Sequence, residues 1–126
     1  MSVLVDTSIW IEYFRNSHYS GRLEFLIDEN LVGINRLILA ELVPFLKVRN
    51  QKKLISLLNR INRNDIRIDW EQIVEYQYKC LKNGINGIGI PDLIIAQNAK
   101  QNRSSIYSLD NHFSQLCNIL DIDLYI

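Results

Sequence analysis

The sequence predicts an α/β sandwich of three layers, a mostly parallel central sheet with helices on both faces. Three observations predict it. Short apolar runs alternate along the chain with single or paired segments of helical spacing. The first of these runs, Ser2 to Val5, is almost wholly apolar, as in a parallel strand covered on both sides. And 126 residues at 48% hydrophobic composition suffice for one core and fall short of two ordinary domains, so residues 1–126 are expected to form one domain.

The elements follow in order. After the strand Ser2 to Val5 comes a helix from Thr7 to about Arg15, capped by Asp6 or Thr7. A helical stretch near Gly21 to Asp28 leads into a short strand, Leu31 to Ile34, and then into a strongly apolar helix from about Arg36. Pro44 is expected to kink or end that helix, because it removes an amide donor and crowds the preceding turn. Lys52 to Ile61 has helical spacing at Leu54, Leu57, Leu58 and Ile61, and Ile66 to Ile68 reads as the third strand. Glu71 to Lys82 is helical, with Ile73, Tyr76, Gln77 and Cys80 on one side. Three of the five glycines fall between Asn83 and Ile90, which marks a loop and does not follow a dinucleotide-binding pattern. Pro91-Asp92 opens a helix to about Gln101, Ser105 to Leu109 is a strand, Asp110 begins a short helix, and Ile122 to Tyr125 closes the sheet.

Composition excludes several classes. No basic and apolar leader opens the chain and no apolar run approaches membrane-spanning length, so a cytoplasmic protein without membrane contact is expected. Cys80 and Cys117 are far apart within apolar segments and read as core residues, not as a disulfide or a zinc knuckle. The formal net charge of zero hides an asymmetry: no acid stands between Glu41 and Asp65, where Lys47, Arg49, Lys52, Lys53, Arg60 and Arg63 form a basic stretch suited to phosphates. An ordinary solvated helix face explains the same residues equally well.

The acids carry the functional signal. Asp6, Asp92 and Asp110 each fall where a helix begins, and Asp6 and Asp110 directly follow predicted strands. In an open parallel sheet the carboxyl ends of the strands share one edge, and ligands bind there. Each aspartate also has a structural explanation as a helix cap. Glu41 lies in Leu37-Ile38-Leu39-Ala40-Glu41-Leu42-Val43, with apolar neighbours on every side, so its carboxylate is expected at the edge of the core or inside it. There it needs a cation or a metal. Two carboxylates about 4 Å apart repel by roughly 4 kcal/mol at an effective dielectric near 20, so four together favour a divalent ion. An all-oxygen donor set selects magnesium or manganese over zinc. His18 and His112 form no zinc pair with these acids and read as surface or cap residues. Such ions activate water and neutralise charge on a scissile phosphate, which describes a phosphodiesterase.

The residues around these acids resemble the PIN-domain family. Val3-Leu4-Val5-Asp6-Thr7-Ser8-Ile9-Trp10 resembles its opening motif and Leu39-Ala40-Glu41-Leu42 its internal glutamate motif. Pro91-Asp92-Leu93-Ile94-Ile95-Ala96 and Ser108-Leu109-Asp110-Asn111-His112-Phe113 resemble the third and fourth. The four stand in the family's order from residue 3 to residue 113, and the chain length is similar to that of VapC-type toxins. The resemblance implies a PIN-like fold and a magnesium-dependent endoribonuclease, the toxin of a toxin-antitoxin pair. Asp6, Glu41, Asp92 and Asp110 would be its catalytic and metal-binding residues. It also implies supporting roles for Ser8 and Ser108, the latter standing where threonine is common. His112 stands near the place where many relatives carry a further acid, so one or two metal sites are both open. RNA substrate, a VapB-like antitoxin and a homodimer are the partners implied. Single-stranded RNA is read by stacking, for which Trp10, Tyr13 and Phe14 are available, although the spacing of Trp10 and Phe14 favours the core.

Rival classes fit less well. A phosphoacceptor receiver needs paired acids after its first strand and a lysine after a late one, and a haloacid-dehalogenase-type phosphatase needs Asp-x-Asp where this chain has Asp6-Thr7-Ser8. A catalytically silent PIN-like binding module remains as the alternative, though all four acids are kept.

Overall fold

The computed structural model describes residues 2–16 and 21–125. The elements are β1 (Val3–Val5), α1 (Thr7–Arg15), α2 (Gly21–Asp28), β2 (Val32–Ile34), α3 (Arg36–Val48), α4 (Lys52–Asn59), β3 (Asn62–Arg63), α5 (Trp70–Lys82), α6 (Ile90–Gln101), β4 (Ser105–Tyr107) and α7 (Asn111–Leu120). Every strand pairing is parallel, in the order β3-β2-β1-β4, which gives the α/β PIN-like sheet that the sequence predicts. In β1 all three residues are buried. Successive strand side chains point to opposite faces, so helices cover the central strand on both sides. On one flank α1 and α4 each pack on α3, and on another α5, α6 and α7 pack on one another.

Register fixes where the site lies. Val5 pairs with Tyr107 and Ile34 with Arg63, so the chain leaves β1, β2 and β4 along one edge of the sheet. Asp6 follows β1 directly, and its side chain caps α1 by accepting from the Ser8 amide. Asn35 follows β2 and caps α3 through Ile38 N–H at 2.8 Å. Asp110 caps α7 through His112 N–H at 2.9 Å.

Beneath this edge runs a buried polar layer with no sequence signature. Asn35 donates to Asn98 Oδ1 at 3.0 Å, and Asn98 donates to the Asp65 carbonyl at 3.0 Å. Asn64 reaches Ser104 Oγ at 3.4 Å, and Gly33 is held close to Asn64, whose Oδ1 would stand 3.1 Å from an added Cβ. Buried amides of this kind stay only because each finds a partner.

Three predicted elements differ. The third strand is Asn62–Arg63 and not Ile66 to Ile68, because β2 already uses its free edge on Asn62 and Arg63 and the chain past Asn64 turns toward Asn98. Pro44 neither ends α3 nor stops it short of Val48. Pro44 and Ala40, whose carbonyl loses its partner, both lie on the exposed side, where water takes over that bond. The closing strand from Ile122 shrinks to one bridge, Ile106 to Leu124.

Candidate functional site

Asp6 is the buried centre of the site. It is 6% exposed, and its Oδ2 accepts from Ser8 Oγ and from Ser108 Oγ, each at 2.9 Å. The two hydroxyls lie 3.2 Å apart. Each hydroxyl is itself oriented by a backbone amide, Leu109 N–H on Ser8 Oγ and Asp110 N–H on Ser108 Oγ, both at 3.0 Å. Asp6 is thus held in one orientation by two oriented donors, while its Oδ1 takes none of these bonds. Ser8 and Ser108 are the two residues for which the resemblance implies supporting roles.

Glu41 requires a correction. The sequence context predicts a carboxylate at the edge of the core or inside it, yet the residue is exposed. Ile38, Leu42 and Leu46 form the buried stripe of α3, and Glu41 lies off that stripe, toward the open edge. It is nonetheless part of the cluster. Burial raises its carboxyl above the ordinary 4.5, the charges of Asp6 and Asp92 raise it further, and the Thr7 hydroxyl pulls it back. Thr7 Oγ1 is buried and falls short of hydrogen-bond geometry with any partner among the described residues, so its pull on Glu41 is a weak contact. Asp92, in the first turn of α6, is raised above 3.8 by burial and then by Asp110 and Asp6, with His112 and the Gly89 amide acting in the opposite direction.

The structure therefore brings Asp6, Glu41 and Asp92 within electrostatic reach of one another, and Asp110 within reach of Asp92. They do not form a closed cage: among the described residues, no three His, Cys, Asp or Glu side chains stand at metal-coordinating spacing. Magnesium is commonly held by one or two carboxylates while it keeps several waters. An open set of carboxylates, two of them raised by burial and by neighbouring charges, fits such an ion.

His112 and Thr7 join the site; both lie within the motifs, but the sequence reads His112 as a surface or cap residue and Thr7 as a helix cap. His112 Nδ1 lies 3.9 Å from Asp92 Oδ2 and 3.6 Å from Asp110 Oδ1. Its signal is positional, two residues past Asp110 on the capped first turn of α7. The other histidine, His18, lies outside the described residues. Trp10 is fully buried and packs edge-on against Tyr13, so it is a core residue and cannot stack on a base. Phe14, half-buried, packs edge-on against Phe45. Both cysteines are buried and free, as predicted.

Of the basic stretch, Lys47, Arg49, Lys52, Lys53, Arg60 and Arg63 are all exposed. Arg49 lies over the Phe45 ring at 3.7 Å. Lys47 and Lys52 line an open cavity of about 370 Å³ at the α3–α4 turn. The stretch runs from the far end of α3 back to Arg63, which returns to the site edge in register with Ile34.

An open parallel α/β sheet with a cluster of acids on its carboxyl edge belongs to the class of α/β proteins that bind their ligands at that edge. The particular family is given by sequence: the PIN domain profile matches residues 3–119, and the chain belongs to that family. Solved structures agree on the fold. The chain is similar to the VapBC2 structure from Rickettsia felis, bound to a DNA fragment from its promoter, at 25% identity and a TM-score of 0.77, with 99% of this chain and 98% of that one covered. It is also similar to DNA-bound VapBC from Salmonella typhimurium at 17% identity and 0.75, with 99% and 97% covered. VapBC-1 from nontypeable Haemophilus influenzae matches at 19% and 0.70, with 99% and 97% covered. A search of curated proteins finds no match. The fold is thus that of VapC-type PIN domains.

Proposed function

We propose that this protein is a magnesium-dependent endoribonuclease acting as the toxin of a type II toxin-antitoxin pair, with manganese as an alternative ion. The observation that carries the reading is the cluster at the sheet edge, where burial raises both Glu41 and Asp92, Asp6 and Asp92 raise Glu41 further, and Asp110 and Asp6 raise Asp92 further. Four oxygen donors suit a hard divalent cation. Asp6, Glu41, Asp92 and Asp110 would hold it, and when bound it supplies Lewis-acid stabilisation of charge developing on the phosphate.

The chain's own residues then have separate tasks. Ser8 and Ser108 hold Asp6 in one orientation through Oδ2, leaving Oδ1 without a bond from either hydroxyl. His112, between Asp92 and Asp110, spaces those two carboxylates. The exposed cations from Lys47 to Arg63 supply phosphate contacts along the substrate, ending at the site edge. Hydrolysis of the phosphodiester adds water across one P–O bond and leaves two RNA fragments.

The VapBC assemblies among the structural neighbours support a VapB-like antitoxin as partner, and the same reading includes a homodimer and a cytoplasmic location. Among the described residues, no helix is long and apolar enough to cross a membrane. The test is cleavage of total bacterial RNA by the antitoxin-free protein with magnesium, with EDTA, and by Asp6→Asn. Discrete fragments that require both magnesium and Asp6 are expected. A folded sample that leaves RNA intact under all three conditions would instead favour a silent binding module.

A further inference from the structure

A cavity between the start of α2 and the end of β4 has no task in the cleavage scheme. It holds about 550 Å³, within the range of small-ligand pockets, and its walls include Arg22, Tyr107, Ser108, Leu109, Leu124 and Tyr125. It is continuous with the acidic edge. Ser108 Oγ donates to Asp6 Oδ2 at 2.9 Å and Leu109 N–H donates to Ser8 Oγ at 3.0 Å, so two residues of the cavity wall also build the support of Asp6. A ligand lying along the acidic edge therefore has the cavity directly beside it.

The chemistry of its walls suits a flat ring joined to an anion. Tyr107 and Tyr125 are half-buried and meet edge-on, with centroids 5.1 Å apart and planes at 62°. An edge-on contact uses the edge of one ring and one face of the other, which leaves ring faces for stacking. Leu109 and Leu124 add apolar wall, and Arg22, exposed on the first turn of α2, enters no ion pair among the described residues. Aromatic faces beside an unpaired cation are the means by which single-stranded nucleic acid is held, bases by stacking and phosphates by charge. The aromatic residues near the first acid do not offer this, since Trp10 is fully buried and Phe14 packs on Phe45.

Topology gives the cavity its place on a substrate. In the order β3-β2-β1-β4, Arg63 at the end of β3 lies on one side of Asp6 and the cavity beside β4 lies on the other. A strand with its phosphates on the basic stretch crosses the acids and reaches the cavity. We infer that this cavity seats one unpaired nucleobase of the RNA beside the phosphate that is cut, with Arg22 on a neighbouring phosphate. The inference rests on the nuclease reading and names the part of the substrate that selects the cut. A base inside a duplex is stacked and paired and cannot enter, so the seat confines cleavage to unpaired segments.

The test is fluorescence anisotropy of a labelled, unstructured RNA of about 12 nucleotides, alone and annealed to its complement, in magnesium. The full chain carries Asp6→Asn so that the probe stays whole. Tyr125→Ala should weaken binding of the single strand by about fivefold or more and leave the duplex unaffected. Tyr125→Phe keeps the ring and should restore the single-strand affinity. The Tyr125 amide, which donates to the Ile106 carbonyl at 2.8 Å, is kept in both variants, and circular dichroism checks the fold. Arg22→Ala, at an exposed position, should lower the slope of log affinity against log salt for the single strand by roughly 0.7, the loss of one phosphate contact. A Tyr125→Ala chain of native fold that binds both probes as its parent does, or loses both alike, would overturn the seat, as would a parent that binds no single strand. An unchanged salt slope would overturn the role of Arg22. With Asp6 intact, Tyr125→Ala cutting total RNA at the wild-type rate into the wild-type fragments would overturn the seat and leave the nuclease standing. Binding of the single strand that depends on Tyr125, in a chain that cuts no RNA, would keep the seat and overturn the nuclease.

Discussion

Replacing Ser108 by alanine tests whether Asp6 is held in place by its hydroxyl partners. The change removes a donor 2.9 Å from Asp6 Oδ2 and the acceptor of Asp110 N–H at 3.0 Å. A hydrogen bond to an ionised group contributes about 1.5–3 kcal/mol net. Ser108 is only half-buried and the Asp110 amide is exposed, so water replaces part of what is lost, and the net cost falls to about 1–2 kcal/mol. For a chain of this size that lowers Tm by roughly 5–10 °C. Buried Trp10 and its packing against Tyr13 give a fluorescence signal for the melt. The loosened carboxylate should also lower magnesium affinity by about 10-fold to 100-fold, the usual effect of removing a group that orients a metal ligand, as read by calorimetric titration. Ser108→Thr keeps the hydroxyl and should restore both quantities. An alanine variant with wild-type melting and wild-type magnesium affinity would refute the reasoning, as would a threonine variant as damaged as alanine.

Three further outcomes are expected. Glu41 and Asp92 are raised above their unfolded values, so the folded state binds their protons more tightly; metal-free stability should rise as pH falls from neutrality through the raised values toward 4.5 and 3.8, and the penalty should be full above them. Magnesium binds the ionised forms and should reverse that slope, so melts with and without the ion that run parallel across this window would count against a shared site. Asn35→Ala removes a cap on Ile38 and strands the Asn98 side-chain Oδ1 in the core, a loss of about 2–4 kcal/mol by urea unfolding; a loss below about 1 kcal/mol would mean that Asn35 does not tie α3 to α6. The Cys117 thiol is pushed up to about 11 by burial and by Asp123, and Cys80 is raised by burial, so neither should react with an alkylating reagent near neutral pH until the chain unfolds; stoichiometric labelling of the native protein, read by mass, would contradict this.

Much of the architecture was legible because it rests on local signals. Buried strands read as apolar runs, and Asp6 and Asp110 each sit at the cap that a helix start requires. The third strand was illegible for the opposite reason. Asn62 and Arg63 are exposed polar residues whose strand character comes only from pairing with Gly33 and Ile34. Glu41 was placed in the right cluster by the wrong argument: apolar neighbours in sequence suggested burial, and helical rotation carried the side chain off the buried stripe. His112 reaches Asp92 across two helices, a contact between elements that no spacing along one segment reveals. The buried amides Asn35, Asn64 and Asn98 were equally hidden, since asparagine reads as loop or cap until its partners are known.

The central position of β1 has a consequence for the order of events during synthesis. Ser108 and the aspartate it holds are 102 residues apart, and Asp6 N–H is bonded to the Tyr107 carbonyl at 2.9 Å. At a translation rate of about 5–20 residues per second, several seconds separate the emergence of the first acid from that of its partners. A nascent chain shorter than β4 has neither the neighbouring strand that anchors Asp6 nor the hydroxyl that orients it. The cleft is therefore completed only after β4 and Ser108 have emerged, so a translating ribosome carries the acidic site unassembled until then.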